Sequence, residues 1–204
     1  MKRFFVTFAL TMLVSGLAFA EEDFCDFPNE IGVYTTETPA TAADAFTAST
    51  SGLVQVYLVI SNPYNTNRMQ PIVNMGGYEL FLNFPGAWGI FGEVTTPPNT
   101  VNLSDAGFPE FFVTGTFPTS GGCFTTLASF QMANFAVQPG HMFMEPISAP
   151  SIGGGIAITD ADFDFELLQA YPISGDFAAP IFGFGLAVVD NEDVSWGGVK
   201  SLYQ

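Results

Sequence analysis

The chain has 204 residues, 48% of them hydrophobic, with four basic residues against 20 acids and a net charge of −16. A chain this acidic repels phosphate backbones and anionic lipid surfaces, which argues against a nucleic-acid partner. With one histidine and two cysteines it also lacks the several His or Cys ligands that a zinc site wants.

In chain order, residues 1–20 read as a signal peptide. Lys2 and Arg3 give a positive start, "FFVTFALTMLVSGL" an apolar stretch, and "AFA" ending at Ala20 the small residues of a cleavage site. Cleavage after Ala20 leaves Glu21 in front, not the cysteine of a lipid anchor. No later run reaches the roughly 18 apolar residues of a spanning helix. The expectation is an exported, periplasmic or extracellular domain over 21–204 that does not span the membrane. In it Arg68 and Lys200 face all 20 acids, a net charge of −18.

The rest is short β-rich runs cut by Gly, Pro and Asn. They are "IGVYT" (31–35), "LVQVYLVIS" (53–61), "GGYELFLNF" (76–84), "AWGIFGEV" (87–94), "EFFVTGTF" (110–117), "FTTLASFQMANF" (124–135), "HMFMEPI" (141–147), "GIAIT" (155–159) and "PIFGFGLAVV" (180–189). "NPYNTNRMQP" (62–71) reads as a turn or loop. Pro85-Gly86 joins the third run to the fourth by a tight connection. Nine or ten strands suffice for a two-sheet antiparallel β-sandwich, immunoglobulin-like or jelly-roll in kind. Over 194–204 a short C-terminal helix or docked tail is expected, capped by Ser195, although Gly197 and Gly198 each oppose a helix by about 1 kcal/mol. In an oxidising compartment Cys25 and Cys123 are expected to pair, a long-loop disulfide contributing on the order of 4–5 kcal/mol.

"LVQVYLVISNP", then "GGYELFLNFPGAW", then "TTLASFQMANF" resembles the strand pattern of cohesin-type β-sandwiches. The chain also resembles a group of exported bacterial proteins of uncharacterised activity, through "IGVY" near the start, "PSI" at 150–152 and the closing "WGGVKSLY". It departs from the cohesin pattern in its cysteine pair and its long stretch after residue 147, so dockerin binding is not carried over.

Candidate chemistry is sparse. His141, on a strand with Phe143 and Glu145, has no nucleophile-elbow serine to serve; Ser120, Ser129 and Ser148 all lack a G-x-S-x-G setting. A glycosidase-type carboxylate pair is compatible with 20 acids, but nothing selects one. The glycine clusters at 76–77, 121–122 and 153–155 lack the Lys-Ser/Thr of a phosphate loop and read as turns and bends. Trp88, Tyr64 and Tyr171 are the candidates for a carbohydrate platform. An outer-membrane barrel is disfavoured, because the runs are short and broken by proline.

The sharpest motif is "TDADFDFELL" (159–168), with Asp160, Asp162, Asp164 and Glu166 at alternate positions. As a strand it turns the acids to water and Ala161, Phe163, Phe165 and Leu167 inward. As a loop, Asp160, Asp162 and Asp164 open like a calcium site, but Phe165 and Tyr171 stand where an EF-hand needs Gly and Glu. The strand reading is preferred and a looser calcium loop stays open. The sequence as a whole points to an exported, non-enzymatic structural, adhesive or binding module for a protein or polysaccharide. The alternatives are a carbohydrate-binding module and a carboxylate hydrolase. Self-association is left open.

Overall fold

A computed structural model describes residues 25–40, 42–47, 52–86, 88–105, 107–134 and 139–185. The expected signal peptide over 1–20, the 194–204 segment and the end of the 180–189 run lie outside the described residues. Among the described residues fourteen strands follow in chain order: β1 (Glu30–Tyr34), β2 (Phe46–Thr47), β3 (Gly52–Ser61), β4 (Tyr64–Asn65), β5 (Gln70–Pro71), β6 (Asn74–Asn83) and β7 (Trp88–Thr95). Then come β8 (Val101–Asn102), β9 (Glu110–Pro118), β10 (Phe124–Asn134), β11 (Gly140–Glu145), β12 (Ile156–Asp160), β13 (Glu166–Pro172) and β14 (Phe182–Phe184). Single 3-10 turns at Ala42–Ala45 and Ala161–Phe163 are the helical elements among the described residues.

The strands form a two-sheet β-sandwich. The front sheet runs β8–β9–β6–β12–β13, and β11 shares β6's second edge with β12, leading on to β14 and β2. The back sheet runs β1–β3–β10–β7. Strand β13 closes one side of the sandwich: its residues 166–170 pair antiparallel with β12, while Tyr171 and Pro172 pair parallel with β1. The only other parallel pairing among the described residues is β2–β14.

Alternation explains most of the core. On β3, Val56, Leu58 and Ile60 are buried and meet Leu80 and Leu82 of β6, Phe111 and Val113 of β9, and Phe130 and Met132 of β10 in one cluster. Burying each such side chain stabilises the fold by roughly 1.5–3 kcal/mol. The Phe111 ring lies 6.1 Å from Tyr78 and 6.4 Å from Phe130, so aromatic packing spans the two sheets. Strand β10 slips register between Thr126 and Ala128, making Leu127 the bulged residue. A bulge leaves backbone groups outside the ladder. The Tyr78 hydroxyl crosses the core and donates to the Leu127 carbonyl at 2.7 Å. Burial pushes the Tyr78 phenol far up, as it does for Tyr34.

The tight connection at Pro85-Gly86 crosses between sheets, because β6 belongs to the front sheet and β7 pairs with β10. One local expectation is corrected. Gly76 and Gly77 are not a turn but the middle of β6, where Gly76 is an extra residue opposite the Thr159–Asp160 step of β12.

Candidate functional site

The acidic motif is a hairpin, not a continuous strand. Strand β12 ends at Asp160, the 3-10 turn follows, and Asp164 and Phe165 both take left-handed φ of 57° before β13 begins. The facing departs from the strand reading at Asp160, Phe165 and Leu167 and keeps it at Asp162 and Asp164, which are exposed. Asp160 is buried, Phe165 is 51% exposed and Leu167 is also exposed, while Leu168 and Ala170 point inward. Period two fails because the turn inserts residues that belong to neither ladder.

Donors on the small β4–β5 hairpin hold the acids. Asn65 Nδ2 donates to Asp160 Oδ2 at 2.8 Å and to Glu166 Oε2 at 2.9 Å. Asn67 Nδ2 and Arg68 Nε each reach Glu166 at 3.2 Å. The Asn65 amide, and then Arg68, hold the Glu166 carboxyl below its usual range. Asp160 Oδ1 caps the 3-10 turn through the Asp162 N–H, and Asp162 accepts from Asn74, side chain at 2.8 Å and backbone at 3.2 Å. Arg68 lies over the Phe163 ring at 5.2 Å. Among the described residues no three His, Cys, Asp or Glu side chains group as metal ligands would.

The same end of the molecule carries the disulfide. Cys25 and Cys123 are bonded, with Cα atoms 5.6 Å apart, and Asn62 bridges them, its Nδ2 donating to Cys25 O and its N–H to Cys123 O. Buried Asn29 takes a left-handed φ of 62°. It donates from its N–H to Asn62 O and from Nδ2 to Tyr64 O and Gln169 O, and accepts from the N–H groups of Tyr64 and Tyr171. This is a closed pole, with chain donors matched to chain acceptors.

The front face is open. Cross-strand register aligns Val101, Thr114, Gly77, Thr159 and Leu167 in one row across the sheet. The next row aligns Phe112, Glu79, Ala157 and Gln169, with Leu103 beside Phe112. Where the rows meet, the glycine pair leaves a trough of about 250 Å³, lined by Glu79, Phe112, Ser151, Thr159, Phe165 and Leu167 among others. Glycine is required there. A Cβ on Gly76 would collide with the Phe165 ring and lie 2.7 Å from Thr159 Oγ1; one on Gly77 would meet the Val113 carbonyl.

Two polar groups mark the trough. Glu79, 3% exposed, accepts from the Ser151 N–H at 2.6 Å and the Ser151 hydroxyl at 2.7 Å, and has no ion pair among the described residues. Thr159 Oγ1 is buried without a hydrogen-bond partner. Alternation along β6 predicts an outward Glu79, and the residue does lie on the outer face. The 148–155 connection, through Ser151, is what covers it. The signal that would have found the trough is the glycine pair inside a strand run, which marks a bulge or a close approach.

The other sequence candidates are dispersed. Trp88 is only 7% exposed, its ring 3.9 Å from Phe184, so its indole is core and not part of a sugar platform. Tyr64 and Tyr171 adjoin Asn29 at the pole, Tyr171 being 46% exposed. His141 sits half-buried near Phe143, and burial lowers its pKa. Ser129 is on the back sheet, the Ser120 hydroxyl donates to the Phe124 carbonyl, and Ser148 follows β11 with its N–H on Glu110.

No family model matches the chain, and no curated protein matches it. Among solved structures it is similar to a type II cohesin domain from the cellulosome of Acetivibrio cellulolyticus, at 14% identity and a TM-score of 0.41, over 70% of this chain and 90% of that one. The sandwich stands on its own strand pairings.

Proposed function

We propose that this chain is an exported, non-enzymatic binding module, acting at the cell surface or in the extracellular space, that docks a protein partner on the outer face of its front sheet. The observation that carries the reading is the cluster of exposed apolar side chains around the trough: Val101, Leu103, Phe112, Phe165 and Leu167. Single exposed apolar residues are ordinary, whereas a contiguous group on one face marks an interaction site. The disulfide supports an oxidising, exported setting. A rigid sheet is also a sound platform, because its side chains are fixed by the ladder.

The test is a double variant, Phe112→Ser with Leu167→Ser, beside Leu53→Ser, a control on the exposed start of β3. Phe112 and Leu167 are each more than half covered, so the double variant should lose roughly 2–3 kcal/mol and Leu53→Ser less, and crosslinking is compared at a temperature where all three proteins are folded. Photo-crosslinking at the surface of the producing cells should yield a defined adduct with wild type and control, and none with the double variant. Equal adducts from all three would overturn the reading. Retention on polysaccharide columns, unchanged by the double variant, would favour carbohydrate binding elsewhere on the domain.

A further inference from the structure

The trough itself specifies more than an apolar partner. We propose that it receives a lysine side chain from the docked protein, with the ammonium against Glu79 and Thr159 Oγ1 and the alkyl stem between Phe112, Phe165 and Leu167. The inference rests on the front-sheet reading above.

Three observations converge. Glu79 is a buried carboxylate whose bonds come from one neutral residue, Ser151. A carboxylate offers about four acceptor sites, so capacity remains beyond the two Ser151 bonds, and Glu79 is part of the trough lining. A buried carboxylate without a cation is costly, and a partner's cation relieves that cost on binding. Thr159 Oγ1 is a second unused acceptor lining the same trough. In the sheet register Thr159 lies diagonal to Glu79, since it pairs with Gly77, two positions away on β6. Diagonal cross-strand neighbours stand roughly 7–8 Å apart at the backbone, and both side chains line the same trough, so a cation lodged there meets both.

The walls fit the rest of the side chain. Phe112 and Phe165 are 40% and 51% exposed, giving aromatic surface at the mouth, and Leu167 adds an aliphatic edge. A lysine buries its methylene stem on such surface while its charged head reaches a polar end, and ring faces attract the cation as it passes. Charge points the same way, because a chain of net −16 draws basic partners. A guanidinium fork is less suited, because the Ser151 bonds already occupy one site on each Glu79 oxygen. A neutral hydroxyl would leave Glu79 without a counter-charge.

The experiment is an amide NMR titration of the disulfide-bonded domain with Nα-acetyl-lysine-N-methylamide, beside the same probe acetylated on Nε. The expected result is saturable shifts at Gly76, Gly77 and Ser151 for the free amine, with the acetylated probe weaker by about tenfold or more, the loss of a charged hydrogen bond. Glu79→Gln should abolish the preference for the amine. If that variant does not fold, Phe112→Ala serves: it should weaken the amine probe several-fold in a domain whose amide spectrum remains that of the folded protein. Equal binding of the two probes, absence of saturation, or an undiminished preference in Glu79→Gln would each overturn the proposal. Crosslinking lost in the Phe112/Leu167 double variant, together with no binding of the lysine probe, would leave the docking face standing and remove the lysine. Loss of both would remove both.

Discussion

At the Cys25–Cys123 pole, Asp160 and Glu166 share the Asn65 amide, Asn67 and Arg68 complete Glu166, and Asn29 fastens β4 and β13 beside β1. On the front face, Glu79 is buried nearly as deeply as Asp160, yet its bonds come from Ser151 and a hydroxyl nearby has none. Both regions hold a buried carboxylate on adjacent strands, β6 and β12. Each of these two acids receives two hydrogen bonds from neutral donors, so the difference lies in the surroundings. At the pole Glu166 shares the Asn65 amide and brings Arg68 with it, and the acids fix a hairpin to its neighbours. On the front face Glu79 lines a trough beside a Thr159 hydroxyl that has no partner.

The disulfide gives the largest expected effect. Cys25 and Cys123 are 98 residues apart in sequence, and opening a loop of that size releases about 4–5 kcal/mol of unfolded-state entropy. Cys25→Ala with Cys123→Ala should lower the urea midpoint accordingly, while the lysine probe still shifts Gly76 and Gly77 wherever the domain remains folded. A small stability loss, below about 1 kcal/mol, would mean the Asn62 and Asn29 bonds alone hold the pole.

Next in size is Asn29→Ala. It strands the Tyr64 N–H and carbonyl and places alanine at a φ of 62°. Unmet buried backbone groups cost about 1–3 kcal/mol each, so a loss of about 2–4 kcal/mol in denaturant unfolding is expected. Asn29→Gly separates the two causes. It relieves the left-handed backbone, which costs a residue with a Cβ roughly 1–2 kcal/mol, and should recover about that much. If Gly recovers nothing, the side-chain bonds account for the whole effect.

Much of the frame is legible in the sequence, because a strand whose faces differ in burial shows period two. "LVQVYLVIS" and "EFFVTGTF" fall within a residue or so of β3 and β9. "TDADFDFELL" shows the same period for another reason. Asp160 caps a turn, Asp162 binds Asn74 and Asp164 fills a left-handed site, so three acids recur at alternate positions with three unrelated roles. The donors that distinguish those roles, Asn65 on β4 and Asn74 on β6, sit about 90 residues earlier, and local pattern carries no record of them. The trough is hidden similarly. Gly76-Gly77 looks like a turn until β9 and β12 flank it, and Glu79 looks solvated until Ser151, 72 residues on, covers it. Trp88 looks like a surface aromatic because its partner Phe184 lies on another strand far along the chain.

The smallest expected effect tests the pole's electrostatics. Glu166 titrates below its usual value near 4.5 in the folded protein, chiefly through the Asn65 amide and then Arg68. The unfolded chain therefore binds the proton more readily than the folded one between those two values. The stabilisation from Glu166 is then fully present above the unfolded value and is lost as pH falls through the folded one. Wild type should melt slightly above Glu166→Gln at pH 7, and the gap should close on acidification below about pH 4. Added salt should narrow the gap at pH 7, because Arg68 is exposed and screened. If the gap persists at low pH, the carboxylate acts through the shape of its Asn65 and Asn67 contacts and not through its charge. The pole would then be held by hydrogen-bond geometry, and charge would matter to this domain mainly at the trough, where no cation among the described residues answers it.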